Sequence, residues 1–480
     1  MDRDRKVDET PVHFSLCRMA SMVRARKISP VELVDAHLRQ IEARGPALNA
    51  FVCVFSERAR ADAKQAEAAV ARGEALGPLH GVPVTVKDSF DIAGQRTGCG
   101  SRFRADHRAA TDATAVARLK SAGAIVLGKT NTPEFLSNYE TDNFITGRTN
   151  NPWNIERTPG GSSGGEAAAI AAFCSAGGVG SDGGGSIRVP AHFTGIAGLK
   201  PTPGRVSAAG HFPVIEHPGG LLGVAGPMAR SSLDVQALFA ALAGYDFKDP
   251  FSAPVLVREP GIGNWGVENL RIGIWPRFYD VPVQPAIRAA VDDAARALAS
   301  IGIHAEPFQP AGLERAPNLW WFFFGQLPAP FTQKVIEGRE GDAHWTSTEF
   351  LRTALDQPAP TAEQVVTNLA IRDRMRTGLL RQMEHYPVLL TPPCGVAAFP
   401  HRSRKWSAGD NSIGLFQAMM PSTYVNLLGL PAMVIPFGVS EEGLPVGIQL
   451  VGRPYEEELL LDIAIRLEEA RGPFSGPEGY

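Results

Sequence analysis

The chain has 480 residues, 44% of them hydrophobic, and 47 Lys and Arg against 50 Asp and Glu give a net charge of −3. Near-neutral charge without a basic stripe leaves no electrostatic footprint for nucleic acid. Five scattered cysteines (Cys17, Cys53, Cys99, Cys174 and Cys394) with no CxxC pair signal neither a zinc site nor a disulfide framework, and fit a reducing, cytoplasmic setting. The opening MDRDRKVDET lacks the apolar core of a secretory signal. No stretch reaches the about 18 apolar residues of a membrane span, so no membrane anchor is expected.

From 29 to 74 the pattern is helical. Val31, Val34, Leu38 and Ile41 recur at three- and four-residue steps, with Ser29 as N-cap and Pro30 at the first helical position. At 79 the pattern changes. LHGVPVTVKDSF is a short β-branched strand ending at Lys87 and Asp88. A lysine there either snorkels or pairs with an acid, or is withdrawn from water, which lowers its pKa and frees it to act as a base.

A helix over 114–122 and the strand AIVLGKT follow. Residues 131–154 are polar, carry Asn-Pro and Asn-Asn turn signals, and read as a long surface loop. Then comes GGSSGGEAAAIAAFCSAGGVGSDGGGSIRVP over 160–190, two glycine-rich turns around a run of small residues. SSLDVQALFAALAG is an amphipathic helix. A strand at 271–275, a helix over 284–300 and a strand near His304 suggest a parallel unit. Residues 309–385 are mostly helical and hold the aromatic run NLWWFFFGQL. The Trp320–Phe324 rings cannot all face one side of a helix, so core packing, pocket lining and a membrane-facing cap stay open. YPVLLT, AMVIPFG and GIQLVG are buried-type strands, and 456–470 is a closing helix. No repeat or linker interrupts the chain. The expected fold is one large α/β domain over 1–480, with a central mixed, mainly parallel sheet covered by helices on both faces. Its parts are a helical cover (1–75), a catalytic core (79–230), and the remaining sheet with a helical pocket insert and the closing helix (270–475).

GGSSGG matches G-x-S-x-G twice, centred on Ser162 or Ser163. The nucleophile elbow of α/β-hydrolases needs an apolar strand directly before it, and NIERTP is not one. No motif selects a histidine among His211, His217, His304, His344, His385 and His401. A phosphate loop would end in Lys-Ser/Thr, which is missing. DGGGS is sharper. Its backbone N–H groups at Gly183, Gly184, Gly185 and Ser186 are free to converge where negative charge develops on a carbonyl oxygen. The plainer alternative is a tight turn with Asp182 and Arg188 as a structural pair.

Together, Lys87 in GVPVTVKD, Ser162 in PGGSSGG and Ser186 in GSDGGGSIR resemble the amidase signature family in order and spacing. The likeness runs from about residue 28 to PVGIQLVG near the C-terminus. The 140–213 segment most resembles the fatty acid amide hydrolase branch and its bacterial relatives, without the transmembrane segment some members carry. The resemblance implies Ser186 as nucleophile, Ser162 as proton shuttle behind a cis Gly161–Ser162 peptide, and neutral Lys87 as base. It implies an oxyanion hole from the backbone of Gly183 to Ser186. Ser163 would support the loop by hydrogen bonding, Asp88, Asp182 and Arg188 would be scaffold, and the 137–143 loop would help line an acyl or amine pocket. No metal and no cofactor are implied. The expected substrate is a small-molecule amide, cleaved through an acyl-enzyme to carboxylate plus ammonia or amine, with esters or carbamates as side substrates. Nucleic acid and a membrane anchor are not expected as partners, and a homodimer stays open. The alternative is the A-type chain of an amidotransferase for mischarged tRNA. That reading calls for partner chains and usually has Gln after Ser-Ile-Arg, where this sequence has Val189. A non-catalytic scaffold fits poorly with the complete Lys87, Ser162 and Ser186 set.

Overall fold

The computed structural model describes residues 10–215, 221–258 and 270–479; His217 and the first nine residues lie outside them. The helix Pro30–Leu48 begins as expected. Ser29 Oγ accepts from Val31 N at 2.9 Å, and Glu32 accepts from Ser29 N at 2.8 Å, which closes a capping box. The helical stretch is then broken by a short half-buried strand, β1 (Phe51–Val54), before the helix Ser56–Arg72. Four residues between two helices are too few to show a strand period.

Beyond it lie β2 (Pro83–Lys87), β3 (Ile125–Thr130), β4 (Gly177–Asp182), β5 (Ala197–Lys200), β6 (Val224–Ala229), β7 (Arg271–Ile274), β8 (His304–Pro307) and β9 (Val388–Thr391). A separate hairpin, β10 (Lys405–Ala408) and β11 (Asn411–Gly414), precedes β12 (Ala432–Val439) and β13 (Pro445–Gly452). Eleven strands form one sheet in the order β1-β3-β2-β4-β6-β5-β12-β13-β9-β7-β8.

The sheet is mixed, as expected, but its parallel pairings are confined to two blocks, β3-β2-β4 and β9-β7-β8. The central run from β4 to β9 and the β1 edge are antiparallel. The expectation of mainly parallel pairing came from the strand–helix–strand order around 271–304, and β7 and β8 do pair in parallel. The other strands read only as continuous apolar runs, which report burial on both faces rather than strand direction. Met433 and Ile435 of β12 enter one core cluster with Leu238, Val291 and Leu460 from the helices Ser232–Leu242, Pro285–Ser300 and Glu457–Arg471. Val434, between them, faces the opposite cluster with Ile170 and Ala191 from the helices Gly164–Ala171 and Arg188–Thr194.

Residues 131–154 form a loop, but not a surface one. Asn131, Thr141, Asn143, Thr149 and Asn151 are buried. The asparagine amides replace the hydrogen bonds that a buried loop would lose. Asn131 Nδ2 donates to Gly147 O at 2.9 Å, Asn143 Nδ2 to Thr132 O at 2.7 Å, and Asn151 Nδ2 to Phe193 O at 2.8 Å.

Strands β2 and β4 run side by side in parallel, with Thr85 opposite Gly178 and Val86 opposite Val179. Their carboxyl ends, Lys87 and Asp182, therefore emerge at the same edge, where open α/β sheets place their ligands. The close approach needs glycine at 178. A Cβ there would stand 2.0 Å from Glu166 Oε1 and 2.3 Å from Thr85 O. Gly178→Ala is expected to destabilise the protein by about 1–3 kcal/mol through overpacking, read as a lower midpoint in urea unfolding.

Candidate active site

Lys87 is fully buried at the end of β2. Its Nζ donates to Ser162 Oγ at 2.7 Å, Ser163 Oγ at 2.9 Å, Ser181 Oγ at 3.1 Å and Ser181 O at 3.3 Å. All four acceptors are uncharged. Burial pushes the ammonium down to about 7, with the charges of Cys99, Asp182 and Glu166 opposing the shift in part. The adjacent Asp88 does not neutralise Lys87. It pairs instead with Lys129, 2.7 Å away and equally buried.

Ser162 is presented by the turn that precedes the helix Gly164–Ala171, and the Gly161–Ser162 peptide is cis. Ser163 N donates to Ser186 O at 3.1 Å, which ties the two glycine-rich turns together.

The DGGGS turn is fixed by its first residue. Asp182 Oδ1 accepts from Gly185 N at 2.7 Å and Oδ2 from Ile187 N at 3.0 Å. Arg188 grips the same carboxylate from Nε and Nη2, each at 3.0 Å, and Asn426 Nδ2 adds a bond at 2.9 Å. Burial favours the neutral acid, but Arg188 overrides it and holds Asp182 well below the usual carboxylate range. The Gly185 N–H is therefore turned inward to Asp182, unlike the convergence expected for all four turn residues. The turn carbonyls are held from outside. Trp320 Nε1 donates to Gly183 O and Tyr139 OH to Gly184 O, both at 2.8 Å. A Cβ on Gly184 would lie 2.4 Å from the Trp320 ring.

Ser186, 8% exposed, and Ser162 both line a cavity of about 520 Å³. Its walls are largely apolar, with Phe135, Phe212, Leu222, Phe323, Phe324 and Phe350 among them, and Phe331 and Val335 at exposed positions. The aromatic run thus divides. Trp320 is buried against the turn, Phe323 and Phe324 face the cavity, and the backbone widens into a π turn over Phe322–Gln326. Ser137 is also on the wall, whereas Asn143 is consumed in holding the loop.

No histidine among the described residues hydrogen-bonds to Ser162 or Ser186. His211 reaches the cavity wall, but its Nδ1 is 2.8 Å from Pro213 O and burial pushes its pKa down to about 3. His304 pairs with Glu306 and His401 with Glu140. Among the described residues, no group of three or more His, Cys, Asp or Glu is placed to hold a metal ion, and no helix is long and apolar enough to cross a membrane. Sequence reasoning missed Ser181, Asn426 and Glu166. Glu166 is fully buried, and burial pushes its carboxyl up to about 7. A glutamate in an otherwise alanine-rich run, GGEAAAIAA, was the one available signal.

The family model described as Amidase matches residues 32–461. The chain belongs to this family, the amidase signature family. It is 34% identical over 483 aligned positions to the A-type chain of the glutamyl-tRNA(Gln) amidotransferase from Synechococcus sp. (strain CC9605), covering 95% of this chain and 96% of that one. Among solved structures it is similar to a bacterial aryl acylamidase of the amidase signature family, with a TM-score of 0.86, 27% identity and coverage of 98% and 99%. A fatty acid amide hydrolase structure shares the fold, with a TM-score of 0.84 at 24% identity over 96% of this chain and 86% of that one.

Replacing Asp182 tests the scaffold. Asp182→Asn leaves Arg188 buried without its counter-charge, so a loss of about 3–5 kcal/mol in chemical denaturation is expected.

Proposed function

We propose that the chain is an amide hydrolase that works through an acyl-enzyme on Ser186. The observation that carries this reading is the 2.7 Å contact between buried Lys87 and Ser162 beside a cavity that Ser162 shares with Ser186. In this reading the Ser186 hydroxyl attacks the amide carbon while its proton passes to Ser162, and Ser162 gives its own to Lys87 Nζ. The tetrahedral oxyanion is met by backbone N–H groups of Gly183, Gly184 and Ser186, the Gly185 N–H being engaged by Asp182. The proton returns through Ser162 to the leaving nitrogen, the C–N bond breaks, and water then releases the carboxylate by the same relay. The apolar walls favour amides with an aryl or long acyl group.

Lys87 accepts a proton only when neutral, so kcat/KM should rise with pH through about 7, where the folded lysine loses its proton. Lys87→Ala should remove that acid limb and lower the rate by roughly 10²–10⁴-fold. Ser186→Ala should reduce turnover to background and abolish labelling by a fluorophosphonate probe. Undiminished labelling would place the nucleophile elsewhere.

One observation favours a second reading, the A-type chain of an amidotransferase. Relatives of that description are 34–35% identical over nearly the whole chain. The purified chain alone is expected to hydrolyse an anilide. Activity that appears only with partner chains and tRNA would decide for the amidotransferase.

A further inference from the structure

A second polar layer lies behind the serines. Thr85 and Lys87 are two residues apart on β2, so their side chains leave the strand on the same face, the one away from buried Val84 and Val86. Across the parallel pairing, Lys87 is in register with Thr130 of β3. The helix Gly164–Ala171 starts directly after Ser163, and its first turn sets Glu166 over this spot. Thr85 Oγ1 donates to Glu166 Oε1 at 2.5 Å, and Thr130 Oγ1 donates to Oε2 at 2.6 Å. Hydroxyls that donate to both oxygens favour the ionised carboxylate. No Lys, Arg or His among the described residues forms an ion pair with Glu166. The cation whose charge it feels is Lys87.

We propose that Glu166 is a positioning residue that serves as the counter-charge of Lys87, stabilising the ammonium formed during the proton relay and so setting the pH at which the relay operates. This rests on Lys87 being the base. When the Ser186 O–H bond breaks and the proton arrives at Nζ by way of Ser162, a positive charge appears where no water can solvate it. Of the other groups facing Lys87, Asp182 also opposes the loss of its proton, but that charge is shared with a cation of its own. Ser162, Ser163 and Ser181 are neutral, Asp182 is paired with Arg188, the Cys99 thiol is held protonated by burial, and His211 is neutral. Glu166 is the facing carboxylate not already paired with another cation. Each group feels the other's charge, and the negative partner keeps the lysine's proton affinity from falling further.

The test is the pH profile of kcat/KM for Glu166→Gln, an isosteric change. Loss of an opposing charge should move the acid limb down by about one unit and lower the plateau kcat about tenfold. Glu166→Asp should return the limb toward its wild-type position. Thr130→Val, which removes a donor to the carboxylate and keeps the side-chain volume, should shift the limb the same way by a smaller amount, and it carries the test if Glu166→Gln does not fold. A limb that stays in place in both variants while kcat falls would make Glu166 a packing residue and overturn the proposal. A limb that survives in Lys87→Ala would instead remove the base itself, so the two failures are told apart.

Discussion

An amine withdrawn from water is the constraint on which the rest of the site depends. Lys87 has no solvent contact and no adjacent acid within ion-pair distance, because Asp88 is taken by Lys129. Burying an ammonium without a partner is strongly unfavourable, so the group relaxes toward the neutral amine, and a neutral amine needs hydroxyls as neighbours. Three serines supply them. The two glycine-rich turns follow from the same need. Serines can crowd one nitrogen only where the backbone approaches closely, as it does between β2 and β4.

The scaffold around this centre is charged where the centre is not. Asp182 and Arg188 form a fully buried pair whose hydrogen-bonding capacity is met by backbone N–H groups, Asn426 and Gln449. Such a pair adds little net stability but is costly to break. Its effect is geometric, because the Asp182 carboxylate fixes the N–H groups of Gly185, Ile187 and Arg188. The helix that opens at Arg188 and the strand that closes at Asp182 are thereby locked to each other across the turn.

Lys87, Ser162 and Ser186 were legible because each sits in a short motif whose glycines or β-branched residues are local signals. The strands were legible as apolar runs, but their order was not. Burial on both faces erases the alternation that distinguishes strand partners, and β4 and β5 are separated in the sheet by β6, which comes later in the chain. The 131–154 loop was misplaced at the surface because asparagines in turn signals look the same whether they meet water or bury themselves on backbone carbonyls. The remaining site residues act over distance. Tyr139, Trp320 and Asn426 reach the DGGGS turn across 45, 137 and 244 residues of sequence, and nothing in a single chain reports such contacts.

Trp320 joins two functions that are otherwise separate in the chain. The candidate reactive groups lie within residues 87–188, whereas one part of the cavity wall, with Phe323, Phe324 and Phe331, comes from the helical insert after 309. A wall of that kind is free to diversify, since changing Phe331 or Val335 at the rim touches none of the turn's hydrogen bonds. Trp320 is not free in this way, because its indole N–H holds Gly183 O and its ring fills the space above Gly184. The insert is thus divided into a rim whose side chains can change without disturbing the DGGGS turn and a root, the indole, that cannot.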